Sequence, residues 1–174
     1  MATVEEVNDV ITMITEGFEE QVVECLDDNR RTVIICICEQ LYSGLDGNGK
    51  HLNPDYDNDP FFNEEGEWKG RNEDYKAWKN SITPPESSLF LGLSPRPRNV
   101  PNLFINGKFY SDIFATREQM ELYVDVSSHG DGKDIVAKWG EDILKMGNTA
   151  VQYFNAEKLI PRLEEFYDEC GYFE

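Results

Sequence analysis

The sequence predicts an α+β fold: an antiparallel sheet flanked by N- and C-terminal helices, with a long proline- and aromatic-rich excursion. Three observations predict it. Apolar residues recur at three- and four-residue steps near both ends of the chain, the signature of helices with one packed face. Residues 102–127 instead carry short alternating runs around Asn106-Gly107. Between these parts, residues 43–100 hold six of the eight prolines and little regular pattern. The 174 residues are 40% apolar and 12% aromatic, enough for the core of a single domain covering 1–174.

The first helix is expected over 4–27. Val7, Val10, Ile11, Ile14, Phe18, Val22 and Leu26 form its stripe, and Glu5, Glu6, Asp9, Glu16 and Glu20 face water. Gly17 weakens its middle and marks a bend or break. Thr32 to Cys38 is rich in branched side chains on both faces and reads as a central strand, the sheet being centred on 32–42 and 102–127. Helix is the competing reading, because Val33, Ile37 and Leu41 stand four apart.

In the excursion, Gly44, Gly47 and Gly49 around Asp46 and Asn48 favour a turn, and 70–80 offers a short helix. A pattern-free stretch of this length is expected to be functional or held by partners. Beyond it, Leu103-Phe104-Ile105 and Lys108-Phe109-Tyr110 flank Asn106-Gly107, a strong hairpin signal. Ile113 to Ala115 and Glu121 to Ser127 continue as strands. Gly130, Asp131 and Gly132 close the sheet, and a short helix covers 133–138. The last helix uses Leu159, Ile160, Leu163, Phe166, Tyr167 and Cys170, with Pro161 in its first turn or Asn155 capping an earlier start.

Charge and cysteine usage exclude several classes. With 34 acids against 16 bases the formal net charge is -18. The quarters 1–40, 41–70, 71–111 and 112–174 carry -8, -5, +3 and -8, so only one segment is basic. A negative surface disfavours sequence-specific or general nucleic acid binding. The longest apolar run, Val33 to Cys38, is far too short to span a bilayer, and the chain opens without a secretory signal pattern, so no membrane role is expected. Four scattered cysteines point to folding in a reducing compartment.

Site chemistry is scarce. Every EF-hand register through Asp46 to Asp59 fails: Asp46 puts His51 at the required glycine, a start at Gly44 lacks the first ligand, and Asp55 puts Pro60 there. Cys36-x-Cys38, His51 and His129 match no zinc spacing. A nucleophile elbow and a phosphate-binding loop are lacking. The expectation is therefore no catalytic, cofactor or metal site. Trp68, Lys69, Arg71, Tyr75, Lys76 and Trp78, with Arg96 and Arg98 downstream, combine the residue types favoured at protein interfaces. Folding back to complete a small core is the equal alternative for their aromatic rings.

Several stretches form a recognisable set: Glu39-Gln40-Leu41-Tyr42-x-Gly44-x-Asp46-x-x-Gly49; Asn53-Pro54-x-Tyr56-x-x-Asp59-Pro60-x-Phe62; Tyr75-x-x-Trp78-Lys79-x-x-Ile82-Thr83-Pro84; and Val100-Pro101-Asn102-Leu103-Phe104-Ile105-Asn106-Gly107-x-Phe109-Tyr110-x-x-Ile113. Together they resemble small virion proteins of tailed, crAss-like phages and prophages of Bacteroides-type gut bacteria. The likeness covers roughly 39–113, with a fainter echo in Asp142-Ile143-Leu144-x-Met146. It implies a structural protein of the head–tail connector or tail ring, located in the virion after assembly in the host cytoplasm. Its implied partners are copies of itself in a cyclic ring and portal or other tail proteins. Glu86 to Leu93 departs from the family pattern as an insertion, which leaves the tail position open. Segments 69–79 and 96–98 are expected to meet an acidic surface of a neighbour. The other classes are a virion-associated wall-degrading enzyme and a non-virion accessory or adaptor protein.

Overall fold

Thr3 starts the first helix by a reciprocal cap: its hydroxyl accepts from Glu6 N at 3.2 Å while Glu6 accepts from Thr3 N at 2.6 Å. The computed structural model describes residues 3–128 and 130–173. Met1 and Ala2 of the signal reading and His129 of the zinc reading lie outside the described residues, as does Glu174.

Helix α1, Val4–Asp28, runs without a break through Gly17, contrary to the expected bend. The glycine serves a close approach of another helix instead. Helix α2, Arg30–Tyr42, replaces the strand expected at 32–38. Val33, Cys36, Ile37, Gln40 and Leu41 are buried at helical spacing, and the branched residues pack from both sides. Burial against neighbouring elements overrides the modest β preference of Val and Ile. Helix is thus the reading that holds for 32–42, and the sheet is confined to the later segment.

The excursion contains a 3₁₀ turn, Pro60–Asn63, and helix α3, Asn72–Ile82, matching the short helix expected at 70–80. The hairpin expected at Asn106-Gly107 does not form. Gly107 takes the left-handed conformation (φ 80°), Asn106 Oδ1 accepts from Lys108 N at 3.0 Å, and helix α4, Lys108–Asp112, begins there. The competitor is Lys79: its ammonium takes Asn102 Oδ1 at 2.7 Å and the Phe104 carbonyl, and Tyr110 Oη donates to Asn102 O at 2.6 Å. Groups that a strand would offer to a ladder are already engaged.

The sheet is one antiparallel hairpin. Strands β1, Ile113–Glu118, and β2, Glu121–Val126, pair from Ile113 with Val126 to Glu118 with Glu121. Helix α5, Gly132–Trp139, follows it, as expected. Helix α6, Asn148–Phe154, passes through a π-helical turn, Asn155–Leu159, into helix α7, Ile160–Glu169. Asn155 is therefore within helical structure and not a cap.

Helices flank the sheet. α1 and α2 pack on the hairpin, α6 packs on α2, and α7 lies along α1. The main core joins Cys25, Val33, Ile37 and Leu41 to Ile113, Val126, Ile143 and Phe154. Gln40 links α2 to the later chain, donating to Lys145 O at 3.1 Å and accepting from Gly147 N at 2.7 Å.

Candidate functional site

The aromatic residues of the excursion close on one another. Tyr75 of α3 is the hub: the rings of Tyr56, Phe62, Trp68 and Trp78 stand 5.4, 5.3, 5.2 and 5.3 Å away. Trp68 also stacks on Trp78 at 5.6 Å. Such ring pairs add about 0.5–1.5 kcal/mol each beyond area burial. The single chain thus orders this region by its own contacts. Trp68, Tyr75 and Trp78 remain half-buried.

The basic candidates are mostly engaged within the fold. Lys69 pairs with Glu65, Arg71 with Asp74 at 2.9 Å, and Lys76 with both Asp57 and Glu73 at 2.6 Å. Arg71 also lies over the Trp68 ring at 5.3 Å. Contacts to Asp57 and Glu73 hold the Lys76 pKa above the usual lysine value. Arg98 is exposed. Arg96 is held inside the fold: it is 2% exposed and donates to Thr83 O at 2.7 Å and Val100 O at 3.0 Å. Arginine was buried here because its planar fork can knot two chain segments through their carbonyls.

Beside Arg96 lies Lys79, also 2% exposed. Its three donors are taken by Thr83 Oγ1 at 3.1 Å, Asn102 Oδ1 and the Phe104 carbonyl. Burial and the neighbouring guanidinium lower its pKa to about 7. The pair fastens α3 and the 96–104 segment to each other. It is a structural knot that ties the excursion to the segment leading into α4.

Residues 88–93, which the sequence reading singled out only as part of an insertion, form a hydrogen-bonded tip. Glu39 of α2 accepts from the backbone of Leu89, Phe90 and Leu91 at 3.0–3.2 Å. Ser88 closes the turn, accepting from Leu93 N at 2.8 Å through its hydroxyl and donating from its own N to Leu93 O at 3.1 Å. Leu91 is buried below, while Leu89 is 91% and Phe90 54% exposed. Two large apolar side chains are thereby displayed on a fixed base. The available signal was the run Leu89-Phe90-Leu91, an apolar triplet amid prolines and serines.

No family model, curated protein or solved structure matches this chain.

The fold presents two further surfaces. An open cleft of about 1000 Å³ lies between the hairpin and the helices, lined by Leu26, Val33, Leu122, Val124, Val136 and Met146, with Asp125 and Lys133 at its rim. Asp125 is bridged by Lys133 at 2.5 Å, which holds its carboxyl below the usual range. Among the described residues, no three His, Cys, Asp or Glu side chains come together as metal ligands, and no helix is long and apolar enough to cross a membrane. The second surface is α1, which leaves Val7, Ile11 and Phe18 exposed where the sequence pattern predicts packing, with Val4 exposed ahead of them.

Proposed function

We propose that this chain is a structural component of a tailed-phage particle, present in several copies as a symmetric ring at the head–tail junction or in the tail. Its work is assembly, with no reaction to perform. The observation that carries the reading is the Leu89–Phe90 tip. Large apolar side chains displayed on a hydrogen-bonded base are what an interface anchor requires, because little conformational freedom is left to lose on contact. The likeness of residues 39–113 to virion ring and connector proteins supplies the class of assembly. A ring needs each copy to offer one surface and receive another, and a projecting tip serves as the offered one.

The aromatic cluster and the Lys79–Arg96 knot act in this reading as the scaffold that carries the tip. The ion pairs of Lys69, Arg71 and Lys76 leave those residues a secondary part at the contact. Mass spectrometry of purified particles, joined to electron microscopy of the purified protein, tests the proposal. The expected result is the chain in stoichiometric amounts in particles and closed rings of cyclic symmetry, lost on Leu89→Asp with Phe90→Asp. A chain absent from particles that remains a monomer overturns it and favours the accessory role.

A further inference from the structure

Helix α1 packs along α7 through one face. Gly17 meets the Phe166 ring, while Gln21 and Glu24 accept from Arg162 at 2.9 and 3.2 Å. About a quarter-turn around the helix, Val4, Val7, Ile11, Ile14 and Phe18 follow one another at alternating steps of three and four. Val4 is 89% and Ile11 57% exposed, and only Ile14 is half-buried. One turn onward the same line reaches Val22 and Cys25, and Cys25 belongs to the core. Thr12 and Thr15 turn their hydroxyls back to Asn8 O and Ile11 O at 2.9 and 2.7 Å. Satisfied in this way, Thr15 borders the line without offering a hydrogen bond outward, and Thr12 lies farther round the helix. A coiled-coil-like seam thus leaves the core and continues uncovered for about 21 Å.

Charge decides what can cover it. Helix α1 carries nine acids and no base, and α7 four acids and one base, so the two helices account for -12 of the chain's -18. The ion pairs of α1 lie in its C-terminal half, at Glu20–Arg117, Glu24–Arg162 and Asp27–Arg30. Glu5, Asp9, Glu16 and Glu19 of the N-terminal part form none among the described residues. A second copy laying its own α1 here would bring nine more acids to about one helix diameter, roughly 10 Å, close to the screening length of about 8 Å in physiological salt. Phosphate-bearing surfaces are repelled for the same reason. A basic helix is attracted by this net charge. The positions beside the line, Asn8 and Thr15 on one side and Val10 and Gly17 on the other, are uncharged. The stems of the basic helix's long side chains can lie over them while their heads turn toward Glu5 and Glu19 farther round α1.

We infer that the Val4–Phe18 line of α1 seats an amphipathic helix of a different protein, apolar along the contact and rich in lysine or arginine along its borders. The inference deepens the assembly reading, and rests on it for placing that protein among the neighbours in the particle. Contacts between copies fall to the Leu89–Phe90 tip, and the acidic arm is left for an unlike partner.

Three labelled synthetic helices of equal length test this against the full chain by fluorescence anisotropy at physiological salt. One has a leucine seam with lysine borders, the second the same seam with glutamate borders, and the third lysine borders with serine in the seam. The first is expected to bind at least about tenfold more tightly than either other peptide, a difference of about 1.4 kcal/mol. Ile11→Ser with Phe18→Ser, both exposed positions, should remove that advantage while circular dichroism stays that of the wild type. Equal binding of both lysine peptides, or binding that survives the double substitution, overturns the inference, since acid attraction alone then explains it. Self-association of the wild-type chain that disappears in the double variant also overturns it, assigning the seam to a second copy. Presence in particles, read by mass spectrometry, decides the assembly reading separately.

Discussion

The Phe166 ring of α7 lies against the bare Cα of Gly17 in α1, so close that a Cβ at position 17 would stand 2.8 Å from Phe166 Cζ. The glycine lets the two helices meet. Gly17→Ala should leave stability near that of the wild type, because the end of the Phe166 ring can swing aside and alanine returns about 1 kcal/mol of helix propensity. Gly17→Leu should part α1 from α7 and lower stability by about 1–3 kcal/mol. Thermal unfolding followed by circular dichroism checks both. A leucine variant as stable as the alanine one would remove the contact's importance.

This glycine also marks where sequence stops being legible. The extent of α1 followed from its 3.6-residue pattern, and the Leu159–Cys170 stripe placed α7, but the helical run that precedes it from Asn148 was not expected. Periodicity cannot tell a stripe that meets its own chain from one that does not, so Val7, Ile11 and Phe18 read as core and are exposed. Segment 32–38 misleads because a helix buried on several sides needs no polar face, and its Val, Ile and Cys content then matches that of an internal strand. Asn106-Gly107 misleads for a different reason: its left-handed glycine is real, but a lysine over twenty residues away claims the neighbouring backbone. The aromatic cluster was legible as residues seeking burial. The base of the Leu89–Phe90 tip was not, because it depends on Glu39, fifty residues earlier.

Lys79 should give the protein a measurable pH dependence. Its pKa is about 7 in the folded chain, against about 10.4 for a free lysine side chain. Above pH 7 the unfolded chain therefore holds a proton that the folded chain has released, and stability rises with pH. The slope approaches about 1.4 kcal/mol per pH unit. Cys36 and Cys38, raised by burial to about 11, act in the opposite sense once unfolded thiols ionise near pH 8.5. The clean window is thus about pH 7 to 8.5. Urea unfolding of the wild type and Lys79→Met across that window should show the rise in the former alone. Lys79→Met should also be less stable overall by about 1–3 kcal/mol, because Asn102 Oδ1 and the Phe104 carbonyl lose a buried donor. Parallel pH profiles for the two chains would contradict the assignment.

Gln40 is held to one chemistry by two backbone groups, the Lys145 carbonyl and the Gly147 N–H. Leucine fits the volume and satisfies neither. Gln40→Leu should cost about 2–4 kcal/mol, beyond the usual range for a similar-sized change, because two buried polar groups lose their partner. Gln40→Glu keeps an acceptor for Gly147 but sets a buried carboxylate against the Lys145 carbonyl, so at neutral pH it should be at least as destabilising as leucine. Denaturant midpoints order the three chains, and a leucine variant equal to the wild type would show that water replaces the side chain.

The cysteines should be quiet in the native protein. All four are free, Cys36 is fully buried, and burial raises both Cys36 and Cys38 to about 11. Since the thiolate is the reactive form, iodoacetamide at pH 8 should label these two slowly in the folded chain and fully after denaturation. Rapid native labelling of Cys36 would mean that α2 opens readily, against its central place in the fold.

Glu39 separates the tip's rigidity from its chemistry. Its carboxylate receives the Leu89, Phe90 and Leu91 amides, whereas the exposed apolar surface is that of the Leu89 and Phe90 side chains. Glu39→Ala should speed hydrogen exchange at those three amides while leaving the global unfolding midpoint within about 1 kcal/mol of wild type. If the tip is an anchor, the same substitution should weaken ring formation by about tenfold although no contacting side chain has changed, because a loosened loop must be ordered again at each contact. Leu89→Asp with Phe90→Asp should abolish assembly with exchange at the tip unaltered. Both variants assembling like the wild type in sedimentation experiments would separate the tip from assembly altogether. An alanine variant that assembles normally beside an aspartate variant that does not would keep the anchor and discard the role of its base.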